Sequence, residues 1–274
     1  MVFDRDAGAP VAVRAAQPLN ECAFVQGHDG PAAECAAGTM RGDHLSGEVA
    51  LGPHRVAWDL RCEGGQAPLL LLPRTMYETR FPRAKSIASR PQLRFSGKLV
   101  VDGRHVQVDN WIGSGNHNWG SRHTDEYAYA QVCGFDGFAE SFVETITASV
   151  NVGPLRTPKS TLMVLRHRGR DHVLNDPLRG AMAFARFDLE GYRFSLARGD
   201  IAVEGQITPR RSDLVVVPYL NPPGGVKHCI NTKIAEARLS VRVGHQRDEL
   251  VAPHGAVFEM ILRGNSHGLP LAFS

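Results

Sequence analysis

Apolar and polar residues alternate along this chain in short stretches with a period near two, the spacing of a strand with one buried face. The stretches 11–13, 47–51, 56–62 and 93–101 read this way, as do 126–133, 138–150, 161–167, 182–187, 193–196, 201–208, 214–219, 233–243 and 257–262. Most are bounded by Gly, Pro, Asn or Asp, which end strands and start turns. Val101-Asp102-Gly103-Arg104 and Arg168-Gly169-Arg170-Asp171 carry hairpin-turn chemistry. Helical spacing is scarce. Residues 86–90 and 175–179 each suffice for one turn of helix, and 232–239 has helical composition but runs on into a strand pattern at 239–243. Short strands at regular spacing predict an all-β, antiparallel barrel or sandwich.

The stretch 126–133 has the most telling alternation. As a strand it puts Tyr127, Tyr129, Gln131 and Cys133 on one face and Ala128, Ala130 and Val132 on the other. The first face suits a wall with hydrogen-bonding points, and the second suits close packing against a neighbour.

Two prolines in Gly153-Pro154-Leu155-Arg156-Thr157-Pro158 argue against a central strand there and suggest a boundary. The expected domains are therefore 1–153 and 154–274, each the size of one eight-stranded barrel. Composition adds exclusions. A net charge of +3 over 274 residues, with Arg and Lys scattered among Asp and Glu, leaves no basic stripe for nucleic acid. The longest apolar run, 67–73, is too short to span a bilayer. The N-terminus, Met1-Val2-Phe3-Asp4-Arg5-Asp6, lacks the apolar region of a secretory signal, so the expected location is cytoplasmic. Cys22, Cys35, Cys62, Cys133 and Cys229 are odd in number, widely spaced and without CxxC, so free, buried thiols are expected, with no disulfide framework and no zinc site.

Candidate chemistry concentrates in 109–123. These fifteen residues hold Trp111, Trp119, His117, His123, Asn110, Asn116, Asn118, Asp109 and Arg122, with Gly113, Gly115 and Gly120 allowing tight turns in what reads as a Gly-rich loop. His117 is the natural general acid or base, since imidazole titrates near neutral pH. Trp119 offers a π-face for a developing cation, and Tyr127 or Tyr129 can donate a proton or orient a ligand oxygen. Trp111, Asn118 and Gln131 are the further candidates for ligand contact. Together these residues fit proton-initiated chemistry on an apolar, unsaturated substrate. His117, His123 and Asp125 also offer metal-ligand chemistry, but the spacing matches no familiar metal motif and no metal is expected. Asp59 in Trp58-Asp59-Leu60-Arg61 reads as a structural partner of an arginine. The turn 219–225 and Asn231 read as structural, with Asn231 satisfying a buried backbone group. No P-loop, GxSxG elbow or dinucleotide-binding pattern is present, and no cofactor is expected.

At Asn116-His117-Asn118-Trp119-Gly120, followed by Tyr127-Ala128-Tyr129, the chain resembles the AttH/hydroxyneurosporene-synthase-like proteins, a group that includes carotenoid 1,2-hydratases and tocopherol-cyclase-like and decalin-cyclase relatives. Residues 47–60, Pro73-Arg74-Thr75-Met76-Tyr77 and the 221–231 turn add to the likeness. The resemblance implies two tandem lipocalin-like (calycin) domains with a hydrophobic ligand cavity. It also implies isoprenoid, polyene or polyketide-like substrates, and cofactor-free hydration, isomerisation or cyclisation. His117 and Trp119 match the motif. Where the hydratases carry a Tyr–Asp arrangement on a later strand, this chain has Phe142-Val143-Glu144-Thr145, which makes Glu144 the acid candidate. A non-catalytic lipophile carrier is the second expectation. The two would be told apart by a buried, pKa-shifted acid beside His117.

Overall fold

The computed structural model describes residues 1–274 except 7, 28, 29, 223, 266 and 274. It is almost entirely antiparallel β, as the alternation predicts. A first, seven-stranded sheet takes its strands in chain order: β1 (Ala23–Gly27), β2 (Gly30–Cys35), β3 (Gly38–Arg41), β4 (His44–Leu51), β5 (His54–Gly64), β6 (Ala84–Val101) and β7 (Arg104–Gly120). A short helix α1 (Arg74–Glu78) lies between β5 and β6. The remaining strands are β8 (Glu126–Phe135), β9 (Phe138–Ser149), β10 (Asn151–Val152), β11 (Leu155–Arg156), β12 (Ser160–His167), β13 (Arg170–Leu174), β14 (Phe184–Asp188), β15 (Gly191–Arg198), β16 (Ile201–Thr208), β17 (Val215–Leu220), β18 (Val226–Val243) and β19 (Gln246–Ile261), with a helical turn α2 (Pro177–Gly180). Apart from the small β10–β11 pair, they form one sheet in the order β13-β12-β9-β8-β19-β18-β16-β15-β14, with β17 also on β18.

The chain divides into two compact units, Met1–Gln66 with Gln92–Ser114, and Ala67–Pro91 with Gly115–Ser274. Strands β6 and β7 thus contribute to both. The boundary expected at 153/154 falls within the second unit. There, 151–156 form the β10–β11 hairpin, while β8 and β9 before it share a continuous sheet with β12 and β19 after it.

In the first unit, Trp58 lies against glycine backbone. A Cβ on Gly47 would stand 2.6 Å from its ring and 2.3 Å from the Ala37 carbonyl oxygen, so no other residue fits. Asp59 is exposed and pairs with His44 Nε2 at 2.7 Å, not with the arginine expected from sequence, because the β4–β5 register brings His44 to that edge. The cysteine expectation also needs correcting. Cys22 and Cys35 form a disulfide, since the β1–β2 hairpin brings residues thirteen apart to a Cα separation of 4.7 Å. Cys62 and Cys229 are buried thiols outside any disulfide among the described residues, and Cys133 is half-buried.

The second unit's large sheet curls on itself. Leu174 of β13 and Phe187 of β14 come from opposite ends of the strand order yet share one core with Ala130, Met163, Leu250 and Phe258. Arg198 Nη1 donates to the Val173 carbonyl at 2.7 Å, joining β15 to β13. The interior, where a ligand cavity was expected, is filled by Tyr192, Phe258 and Met163, all inaccessible. The Tyr192 hydroxyl is satisfied by Thr147 at 2.7 Å.

Other local expectations change as well. Residues 86–90 are strand, not a helical turn, and 109–120 form the end of β7, not a loop, because the glycines are accommodated within an extended pair. Residues 11–13 make only an isolated bridge, Val2 to Val11, while β1 to β3 arise where no strand was read. The two hairpin turns stand: Asp102, Gly103, Arg168 and Gly169 all have positive φ. Pro223, within the expected 219–225 turn, lies outside the described residues.

The Cys22–Cys35 bridge predicts a stability difference. Reduction, or Cys22→Ser, is expected to destabilise the first unit by about 3 kcal/mol, the value for a closed loop of roughly 15 residues. Urea unfolding with and without reductant measures it. An unchanged midpoint would mean that the hairpin's strands already order the chain.

Candidate functional site

The alternation in β8 sets up the site. Ala128, Ala130 and Val132 are fully buried in the inner core. Tyr127, Tyr129, Gln131 and Cys133 point to the outer face, as the sequence predicts. On neighbouring β9, Phe142, Glu144 and Ile146 share that outer face, and Leu162 and Val164 continue it on β12. The outer face is roofed by Leu69, Leu71, Leu72 and Ala88, so Glu144 lies under an apolar cover and is 1% exposed.

Burial disfavours a charge, and it pushes the Glu144 carboxyl up to about 7 against a partial opposing effect of its Tyr129 hydrogen bond. The Tyr129 hydroxyl donates to Glu144 Oε1 at 3.0 Å and accepts from Gln131 Nε2 at 3.1 Å. Gln131 and Asn116 close the network with reciprocal amide bonds of 3.2 and 3.3 Å. Burial, and then the neighbouring Glu144 charge, hold the Tyr129 phenol well above its ordinary value, so it remains a donor. Glu144 Oε2 is buried and has no hydrogen-bond partner among the described residues. With Oε1 accepting from Tyr129, the acidic proton of neutral Glu144 resides on Oε2.

Tyr77 of α1 lies against the Trp119 ring of the His117-Asn118-Trp119-Gly120 (HNWG) motif. Its hydroxyl donates to the Ser86 carbonyl at 2.9 Å and accepts from Leu72 N–H at 3.3 Å. Burial and the Glu144 charge raise its pKa, against the opposing backbone bonds. Its ring centroid is 6.0 Å from that of Trp119, and Trp119 stacks on His117 at 5.2 Å. On β7, His117 and Trp119 share one face and Asn116 the other. His117, Asn118 and Trp119 are exposed, Trp119 at 40%. Gly120 is required where β7 ends, because a Cβ there would stand 2.0 Å from the Arg83 carbonyl oxygen.

The structure therefore brings Tyr129, Gln131 and Glu144 into one hydrogen-bonded chain. His117 and Trp119 stack with Tyr77, whose phenol feels the Glu144 charge but is bonded to backbone groups. Trp111 belongs to the first unit and is half exposed. Tyr127 joins a separate cluster with Glu259 and Cys229. His123 stacks on Tyr219 at 5.2 Å, and Asp125 pairs with Arg122 and Lys227, so these candidates for metal ligation have other partners. Among the described residues no group of three or more His, Cys, Asp or Glu could hold a metal. Sequence reasoning did not single out Asn116, Tyr77 or Glu259. Asn116 sits beside His117, and Tyr77 ends the Pro73–Tyr77 stretch, but nothing local marks Glu259. Surface hollows of about 450 and 250 Å³ lie against β14–β16, the larger reaching β18 and β19, and contain none of the predicted site residues.

No family model matches the sequence. The chain is 24% identical over 195 residues to the uncharacterized proteins MT0513 and Rv0493c of two Mycobacterium tuberculosis strains, CDC 1551 / Oshkosh and ATCC 25618 / H37Rv. That match covers 69% of this chain and spans 57% of the length of these curated relatives. Among solved structures it resembles kievitone hydratase from Nectria haematococca, with a TM-score of 0.48 and 11% identity over 80% of this chain and 64% of that one. It also resembles "a putative AttH (NE1406)" from Nitrosomonas europaea, with a TM-score of 0.45 and 13% identity over 87% of this chain and 67% of that one. At such scores, substrate and reaction have to be read from this chain's own residues.

Glu144 makes stability depend on pH. Its folded value, about 7, exceeds the ordinary 4.5, so the folded state binds this proton more tightly than the unfolded state does. The group's contribution is best below about pH 4.5, declines as pH rises to about 7, and is flat above. The full decline is on the order of 3 kcal/mol. Urea midpoints from pH 5 to 8 should therefore show Glu144→Gln gaining on wild type as pH rises. A difference independent of pH would contradict a raised carboxyl.

Proposed function

We propose that the protein binds a hydrophobic, unsaturated small molecule (isoprenoid, polyene or polyketide-like) and transfers a proton to it from Glu144, initiating a hydration, isomerisation or cyclisation. The observation that carries this reading is the buried carboxyl with one oxygen held by Tyr129 and the other, Oε2, without a partner. A carboxyl raised to about 7 is both protonated and ready to give up its proton near neutral pH. When Oε2 loses its proton, the Tyr129 hydroxyl already donates to the carboxylate that remains, and Gln131 and Asn116 hold that phenol in place. The apolar roof of Leu69, Leu71 and Ala88 suits a hydrocarbon substrate and excludes water. Trp119 and Tyr77 offer π-faces to a developing cation. The stacking of Trp119 on His117 supports a site-shaping role for the histidine, with Glu144 as the proton donor. Each of these roles falls to a side chain.

The location expected from the N-terminal sequence is cytoplasmic. The Cys22–Cys35 disulfide favours an oxidising compartment instead. Alkylation of thiols at the moment of cell lysis separates the two: three modified cysteines fit the disulfide, and five fit a reducing compartment.

Native mass spectrometry after gentle purification, with extraction and identification of any bound lipophile, tests the function. Wild type is expected to convert the bound molecule into a related compound. Glu144→Gln should retain it with conversion slowed by about 100-fold or more, the scale of general acid catalysis. His117→Ala should keep most of the conversion. A lipophile retained unchanged by all three proteins would make this a carrier.

A further inference from the structure

A second polar cluster occupies the same outer face of the second unit, one strand over. The Tyr127 hydroxyl donates to Glu259 Oε1 and lies 3.4 Å from Cys229 Sγ. Asn231 Nδ2 reaches that sulfur at 3.3 Å and also satisfies the Cys229 carbonyl at 3.2 Å, the backbone role expected from sequence. Lys233 Nζ stands 3.8 Å from Glu259 Oε2 and 3.2 Å from Asn231 Oδ1. Glu259 Oε1 thus accepts from the Tyr127 phenol, and its Oε2 faces the Lys233 ammonium.

The sheet register relates this carboxylate to Glu144. Glu259 of β19 lies directly opposite Tyr129 of β8, and Glu144 of β9 lies opposite Gln131 of the same strand. The two carboxyl groups therefore flank β8 and its two tyrosines. Two interstrand spacings put their strands about 10 Å apart. The Glu259 charge is felt at Tyr129, the phenol that holds Glu144. Their environments differ: the Glu144 side chain is inaccessible, whereas those of Glu259 and Lys233 are 21% and 34% exposed. A donor cut off from water and an acceptor in touch with it make an unlike pair, the arrangement that separates acid from base roles.

We propose that Glu259, held by Tyr127 and Lys233, is the proton acceptor paired with the Glu144 donor, and that the site relocates a proton along a conjugated polyene carbonyl compound without adding water. This rests on the reading of Glu144 as donor. The Glu144 O–H bond breaks and its proton adds to one end of the conjugated system, whose π electrons form the new C–H bond. Positive charge moves along the conjugated chain. A C–H bond at the far end then breaks, its electron pair closes a new double bond, and its proton passes to Glu259. The substrate keeps its composition, and the double bonds have shifted. Glu259 has gained a proton and Glu144 has lost one. Exchange with solvent resets Glu259 through its exposed edge, and Glu144 is reprotonated once product leaves. A conjugated chain suits the site because it can carry charge across the separation between the two groups.

The test uses β-ionone, citral and all-trans-retinal as probes in D2O, followed by NMR and mass spectrometry. Wild type should yield an isomer, or recovered probe, carrying deuterium on carbon, with no product heavier by a molecule of D2O. Glu259→Gln and Glu144→Gln should each reduce this by about 100-fold or more. Glu259→Asp, which retains the carboxylate, should recover part of the rate, and a merely structural Glu259 would not separate Asp from Gln in this way. If Glu144→Gln abolishes turnover while Glu259→Gln leaves it intact, or if D2O is added to the probe, the pairing is overturned and Glu144 stands alone as donor. If Glu144→Gln leaves turnover intact, the reading of Glu144 itself fails. No turnover of any probe by wild type overturns the polyene-carbonyl assignment.

Discussion

A carboxyl group kept from water and left without a counter-charge is the constraint around which the second unit is arranged. Ionising such a group in an apolar surround is costly, so it holds its proton to about pH 7. Every neighbour of Glu144 bears on that balance. Leu69, Leu71 and Ala88 remove the water, and Phe142, Leu162 and Val164 continue the apolar floor. Tyr129 supplies a single donor, enough to stabilise the carboxylate when it forms but too weak to keep it ionised. An arginine in place of that phenol would leave a permanent ion pair and no proton to give.

The platform beneath is stiff for a separate reason. Small residues at 128 and 130 let β8 sit close on the inner core, where Tyr192, Phe258 and Met163 fill the curl of the sheet. A packed interior moves little, so side chains on the outer face keep their spacing. One strand thus serves two purposes, with alternate residues committed to packing and to hydrogen bonding. The Glu144 hydrogen-bond network consequently lies on the outside of the curled sheet, where the HNWG segment meets it through the Asn116–Gln131 amide pair.

The polar groups on that outer face form two networks that differ in their access to water. Glu144 and Gln131 are closed in, with Tyr129 half-buried and Asn116 at the exposed end of the network, while Glu259 and Lys233 keep an edge open. Tyr127 and Tyr129 stand between them on consecutive outward positions of β8. Both phenols are held in their neutral form by burial, so each is a donor to its own carboxylate.

Much of the fold was legible in local pattern. Alternation assigned residues 127–133 of β8 to their correct faces, up to the bulge after Cys133, and the Asp-Gly and Arg-Gly turns fell where the backbone turns, because both depend only on neighbouring residues. The Gly-rich stretch 109–120 misled, since glycine permits loops without requiring them and the partner strand that extends it lies at 84–101. Cys22 and Cys35 were misread because pairing depends on a hairpin with no apolar alternation to announce it. Glu144 was singled out by its place relative to a motif, whereas its unpaired oxygen, its roof from residues 69–88 and its remote counterpart Glu259 come from segments far apart in the chain. The sequence by itself determined strands, faces and the residue types available for proton chemistry, because side-chain alternation is a property of the local backbone. Only the tertiary structure decided which carboxyl loses water and which keeps it, because desolvation is set by whatever the rest of the chain lays over a group.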